Sequence, residues 1–263
     1  MKNASFLDAH APAQVAELIE VAGVNKANIP AAQMIVLAGL AGVFIGFGGA
    51  AYTMVMTGVD PGYGPARLLG GVVFALGLIL VVVGGAELFT GNALMIMATV
   101  DRRIPVRRLL RNWAIVYLGN LIGALALALC FGLSGLLEHT MGQTAIGIAD
   151  AKAALPLSEA FVRGVICNAL VCLAVWLACA ARTVAGKILA VLWPIAAFVL
   201  LGLEHSVANM YFFPQAWAAG GQVEVSAALI NLFWVTLGNI VGGGLGVALA
   251  YRFAYLGRAK RAE

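Results

Sequence analysis

The sequence predicts an all-α membrane protein in which six spans form two inverted three-helix halves, the second and fifth helices being broken. Three observations carry this expectation. Mean hydropathy is +0.97 with 62% hydrophobic and 11% charged residues, six long stretches are poor in charge, and one polar motif occurs twice. So much apolar surface needs lipid as its solvent, which excludes an ordinary soluble domain. The formal charge of +4 comes from basic residues scattered through short loops, so no nucleic-acid partner is expected. No metal or other cofactor is expected either. Cys130, Cys167, Cys172 and Cys179 sit in apolar runs without ligand-like spacing and read as small buried residues.

Residues 1–30 lack the basic-then-apolar pattern and small-residue cleavage site of a leader, so the mature chain is expected to begin near Met1. Within them, PAQVAELIEVAGV puts Val15, Leu18, Ile19 and Ala22 on one helical face, opposite Gln14, Glu17 and Glu20. This reads as a cytoplasmic amphipathic helix at the membrane surface, as a cap on the bundle or as a gate. Spans follow at 31–57, 68–100, 113–137, 160–181, 188–219 and 226–251, within a domain of 31–252 whose halves cover about 31–137 and 157–252. A basic tail, 253–263, closes the chain.

A bilayer core of about 30 Å needs about 20 helical residues. The second and fifth stretches run to about 33 and 32 residues, and each carries an acid midway, Glu87 and Glu204. Each is better read as two half-helices joined by a non-helical break. Orientation follows from the basic residues. Lys2, Lys26, Arg102, Arg103, Arg107, Arg108, Arg111, Arg182, Lys187, Arg252, Arg258, Lys260 and Arg261 share a side with both termini, leaving Arg67, Lys152 and Arg163 for the other. Both termini are therefore expected in the cytoplasm.

The two breaks match. ELFTGN at 87–92 and EHSVAN at 204–209 each place an Asn five residues after the Glu. LGNLIG at 118–123 and LGNIVG at 237–242 follow, with 28 residues from Asn92 to Asn120 and 30 from Asn209 to Asn239. Three spans per half is an odd number, so the halves must be inverted relative to each other. Unpaired backbone groups cost several kcal/mol each in lipid, so the breaks must line protein or a wet cavity. Gly91 and the Gly84–Gly85 pair are expected to permit the first turn, and Gly119/Gly123 and Gly238/Gly242 close helix approach. Half-helix N-termini with free N–H groups suit a small anion.

His205 is the one histidine inside a predicted span, placed to donate a hydrogen bond or a proton, with Thr90 its short polar partner from the other break. Glu87 and Glu204 are expected to cap N–H groups or neighbouring amides, since a free carboxylate repels an anion. Asn92, Asn209, Asn120 and Asn239 are expected to tie the breaks to the following spans. Asn168 reads equally as scaffold or as part of a path. One motif points to another class: GLSG at 132–135 fits the GxSG of an intramembrane serine protease, with His205 as base. Ser134, however, falls at the non-cytoplasmic end of its span while His205 is mid-membrane, and a protease leaves the repeat unexplained.

GAELFTGN at 85–92, NWAIVYLGNLIGA at 112–124, NALVCLAVW at 168–176, LEHSVANMYFFP and VTLGNIVGGG together resemble the formate/nitrite transporter family across nearly the whole chain. The resemblance implies an aquaporin-like fold, a pore in each protomer and a homopentamer in a cytoplasmic (inner) membrane. It implies a non-enzymatic channel or transporter for small monocarboxylates or nitrite, with protons as possible co-substrates. It makes His205 the central pore histidine, hydrogen-bonded towards Thr90. Phe74, Leu78, Leu88 and Phe198 match the apolar constrictions, Lys152 the outer-vestibule lysine and Asn168 the pore amide. In this picture Lys152 concentrates the anion, His205 supplies or relays a proton, and Glu204 anchors its loop. GAELFTGN, the AGVNKANIP run and YFFP read as formate-like, with nitrite the alternative substrate of the same family. Histidine in EHSVANM stands against the hydrosulfide branch.

Overall fold

The computed structural model describes residues 9–257. Lys2, Arg258, Lys260 and Arg261, which entered the orientation count, lie outside them, as do residues 1–8 and the end of the basic tail. Apart from one bridge between Ala9 and Ala181, the regular structure among the described residues is helical.

Helix α1 (Pro12–Asn28) opens on a proline, whose missing N–H costs nothing in a first turn. It buries Val15, Ala16, Ile19, Glu20, Gly23 and Ala27, while Leu18 is 42% exposed. The buried face is thus rotated from the expected one. Glu20 turns inward because Arg103 meets it at 3.1 Å, and Gly23 faces Met95 and Ala98 without a side chain to hold them off.

Next come α2 (Ala31–Val55), α3 (Gly64–Gly84), a 3-10 turn (Gly91–Met95), α4 (Ile96–Val100) and α5 (Val106–Leu133). They are followed by α6 (Thr140–Ala153), α7 (Leu157–Ala180), α8 (Val184–Leu200), α9 (Ser206–Ala218) and α10 (Val225–Ile240), which runs through a π stretch (Val241–Leu249) into α11 (Ala250–Tyr255). Among the described residues five helical runs are long and apolar enough to cross a membrane: α2, α3, α5, α7 and Val225–Tyr255. Helix α8 stops at 17 residues because the chain breaks there, as it does after α3.

Each break opens on a left-handed glycine, Gly85 (φ 83°) and Gly202 (φ 68°), two residues before its glutamate. The N–H groups of Ala86 and Leu203 return to the carbonyls of Val81 and Phe198, both at 3.0 Å, which closes each half-helix with the same C-terminal motif. Gly91, expected to permit the turn, instead starts the 3-10 helix and takes no positive φ; the conformational demand falls six residues earlier. Helix α5 starts at Val106 rather than 113, because charge interrupts an apolar run without interrupting a helix, and Arg107, Arg108 and Arg111 lie on its first turns. Helix α6, unexpected between the third and fourth spans, buries Met141, Gly142, Ala145 and Ala149.

Helix α2 packs on α5 and α3, α7 packs on α10 and α8, and α3 meets α8 between them. The crossings are tight enough to exclude a β-carbon. One on Gly42 would meet the Asn120 carbonyl and one on Gly123 the Gly39 carbonyl; in the other half Gly238 and Gly242 face the carbonyls of Phe161 and Val165. Backbone cannot yield as a side chain does, so Gly123→Ala is expected to cost about 1–3 kcal/mol. Thermal unfolding of the detergent-purified variant at the wild-type temperature would show that this crossing tolerates a methyl group.

Candidate functional site

The breaks bring His205 and Thr90 together. Thr90 Oγ1 and His205 Nε2 lie 2.9 Å apart, and both residues are buried. His205 also caps α9: its Nδ1 accepts the Ala208 N–H at 3.1 Å. A nitrogen that accepts carries no proton, so the ring's hydrogen sits on Nε2 and is donated to Thr90 Oγ1. The Phe198 ring runs nearly parallel to the imidazole, planes 18° and centroids 5.9 Å apart, and Phe74 meets Phe198 edge-on at 5.5 Å.

The apolar residues singled out in the sequence surround this pair. A cavity of about 10 Å³ is lined by His205 together with Phe74, Leu78, Leu88, Phe198, Ile45, Val171 and Ile195. That volume holds no more than one water. Phe74, Phe198 and His205 also line a cavity of about 80 Å³ reached by Arg67, Lys152 and Glu204. Leu78 and Leu88 also line a cavity of about 390 Å³ reached by Lys26, Glu87, Gly91 and Asn92. A small, almost wholly apolar chamber thus separates two larger cavities, each with a lysine and a glutamate in its wall.

Those charges are tied in matching circuits. Lys26 Nζ donates to Glu87 Oε1 at 2.6 Å, Asn92 Nδ2 donates to Glu87 Oε2 and to Asn112 Oδ1, and Asn112 Nδ2 returns to the Lys26 carbonyl at 3.3 Å. Lys152 Nζ donates to Glu204 Oε1 at 2.9 Å, Asn209 Nδ2 donates to Glu204 Oε2 and to Asn231 Oδ1, and Asn231 Nδ2 returns to the Lys152 carbonyl at 2.9 Å. The acids hold neighbouring amides rather than backbone N–H groups. Lys152 spends its charge on Glu204 and lies 5.3 Å from the Phe212 ring centre.

Asn120 and Asn239 stitch the breaks themselves. Asn120 accepts the Phe89 N–H and donates to the carbonyls of Ala38 and Glu87; Asn239 accepts the Ser206 N–H and donates to those of Gly164 and Glu204. The half-helix N–H groups of Phe89, Ser206 and Ala208, which sequence reasoning left free for an anion, are therefore already bonded to side chains. Asn168 lines none of the three cavities. It stands behind the break, donating to the carbonyls of Thr90 (3.2 Å) and Asn239 (2.6 Å), with its Oδ1 left without a partner.

Lys26, Asn112 and Asn231 were missed as members of these circuits. A signal existed for two of them: Asn112 and Asn231 stand eight residues before Asn120 and Asn239 in aligned NWAIVYLGN and NLFWVTLGN runs. Ser134 bonds the Phe131 carbonyl at 2.7 Å on an exposed turn, while both nitrogens of His205 are engaged elsewhere, so the geometry contains no serine–histidine pair. Of the four cysteines, Cys130 is exposed, contrary to expectation; it sits where α5 meets the outer surface of the bundle.

Comparison with known proteins agrees with the motifs. The family model described as formate/nitrite transporter matches residues 13–253. The chain is 38% identical to "Formate channel FocA" of Escherichia coli (strain K12), over 97% of this chain and 98% of that one. It is similar to a solved "FNT family ion channel", with a TM-score of 0.85 at 30% identity over 92% of this chain and 98% of that one. It is also similar to a solved "Pentameric formate channel with formate bound", with a TM-score of 0.79 at 38% identity over 86% and 98%. A family match over nearly the full length, with both break motifs inside it, makes this chain a member of the formate/nitrite transporter family.

Proposed function

We propose that the protein conducts the small monovalent anions of weak acids, formate before nitrite, along the line of the three cavities. As a member of its family it is a membrane channel or transporter and not an enzyme. The observation that carries the route is the chamber of about 10 Å³, closed by Leu78 and Leu88 on one side and Phe74 and Phe198 on the other, with His205 its only ionisable wall. An anion stripped of water in such a chamber incurs a large penalty, whereas the neutral acid does not. The names of the matched proteins favour formate as the substrate.

On this reading the polypeptide crosses a cytoplasmic membrane six times with both termini in the cytoplasm. Residues 31–252 form the pore domain and α1 a cap on its cytoplasmic side. Helix α3 with Gly91–Val100 makes the second span and α8 with α9 the fifth. The repetition of the Lys–Glu–Asn–Asn circuit supports two inverted halves, and the likeness to a pentameric formate channel supports an assembly of five copies, each here taken to hold its own pore.

His205 then acts chiefly as a hydrogen-bond donor. A second proton on the ring must go to Nδ1, which the Ala208 N–H already occupies, so a proton relay would cost α9 its cap. Protonation of the anion is instead left to water in the flanking cavities. Uptake of labelled formate into proteoliposomes between external pH 5 and 8, with nitrite as competitor, tests both levels. Wild-type uptake is expected to rise as pH falls. His205→Ala, which removes the donor and the cap, is expected to lose at least about tenfold in rate. His205→Asn, which keeps a donor but cannot titrate, is expected to retain the pH response; a flat profile would establish proton relay through the ring. Inertness to formate with uptake of nitrite would reverse the substrate assignment.

A further inference from the structure

The cavity of about 80 Å³ opens into a mouth of about 600 Å³, and the same few residues line both: Tyr52, Arg67, Lys152, Gly202 and Glu204 among them. Three cations face this mouth, Arg67, Lys152 and Arg163. Two are neutralised. Lys152 is bound to Glu204 at 2.9 Å, and Arg163 to Glu159 at 2.7 Å on the exposed start of α7. Arg67 has no carboxylate partner among the described residues, although it is half-buried one turn into α3.

Its position is built rather than incidental. The guanidinium lies against Gly202, where an added β-carbon would collide with Nη2. Gly202 is also the left-handed residue that opens the second break, so one glycine serves the turn and makes room for the arginine. The uncompensated charge is therefore fixed at the neck between the mouth and the cavity that touches His205 and Phe198. A guanidinium presents paired N–H groups in a planar fork, which fits two oxygens on one atom; an ammonium does not.

We propose that Arg67 forms the outer binding site for the permeating anion, taking a small planar oxyanion such as formate through both oxygens before it enters the apolar chamber. This deepens the transport reading and rests on it for its physiological meaning. Lys152, the charge to which the family resemblance gives this role, serves instead to hold Glu204 and the break in place.

Two measurements test the assignment. In proteoliposome uptake, Arg67→Gln is expected to raise the half-saturating formate concentration by about tenfold while leaving the saturated rate within about twofold. Arg67→Lys, which keeps the charge without the fork, is expected to fall between it and wild type. Arg163→Gln, which removes a cation facing the same mouth, is expected to match wild type. Unchanged half-saturation in Arg67→Gln, or an equal shift in Arg163→Gln, overturns the site. Line broadening of ¹³C-formate by detergent-solubilised protein reads binding without transport. It is expected for wild type and reduced in Arg67→Gln and Arg67→Lys, and equal broadening in all three also overturns the site. A wild type that broadens the formate signal but moves no formate would sink the transport reading and leave the site standing.

Discussion

Replacing Asn239 by leucine is expected to prevent stable assembly of the protein. The side chain is fully buried and closes three backbone groups at the second break: the Ser206 N–H and the carbonyls of Gly164 and Glu204. Leucine keeps the branched outline but is bulkier, so overpacking adds to the loss of the hydrogen bonds. Each orphaned group costs about 1–3 kcal/mol, which sums to on the order of 5 kcal/mol. That is comparable with the whole stability of many domains. Size-exclusion chromatography and thermal unfolding in detergent read the outcome. An Asn239→Leu protein that elutes as a single species and unfolds near the wild-type temperature would mean that water, not Asn239, satisfies the break.

The second large effect concerns Lys152 and Glu204. Their side chains are 14% and 5% exposed, so this is an ion pair held mostly away from water, unlike the half-exposed Arg163–Glu159 pair. Lys152→Met leaves an uncompensated carboxylate and is expected to destabilise by about 3–5 kcal/mol, whereas Lys152→Met with Glu204→Gln is expected to recover most of that loss. The four corners of this double-mutant cycle, measured as unfolding free energies, give the coupling directly. A double variant no better than the single would place the stabilisation in the amides of Asn209 and Asn231 and not in the charges. At the other break Lys26 is 30% exposed, so the same cycle with Glu87 is expected to give the smaller coupling.

Much of this arrangement is legible in the sequence, for a physical reason: a broken helix inside lipid must be stitched with polar side chains, and polar residues stand out in apolar runs. Glu87 with Asn92, Glu204 with Asn209, and the LGN asparagines are visible in this way. Less visible is what depends on partners distant in sequence. Glu20 looks like a solvent-facing residue of α1 until Arg103 is brought beside it. Helix α6 hides in a segment of middling hydropathy, because its buried stripe after Met141 is made of alanine and glycine. The Lys152–Glu204 pair is equally hidden, since a lysine in the last turn of α6 gives no hint of a carboxylate 52 residues further on. Gly202 is one glycine among 32, and only its backbone angle and the arginine above it distinguish it.

The size of the chamber beside His205 has a kinetic consequence. With room for no more than one water, it must widen by side-chain movement to pass an anion on the proposed route, and it then takes one occupant at a time, so a second anion cannot push the first forward by repulsion as ions do in multi-site filters. Each crossing must finish before the next begins. On the proposed route, flux therefore levels off at high substrate, giving hyperbolic kinetics usually taken as the mark of a carrier that alternates between two conformations, although the only motion required is that of the side chains that widen the chamber for each anion.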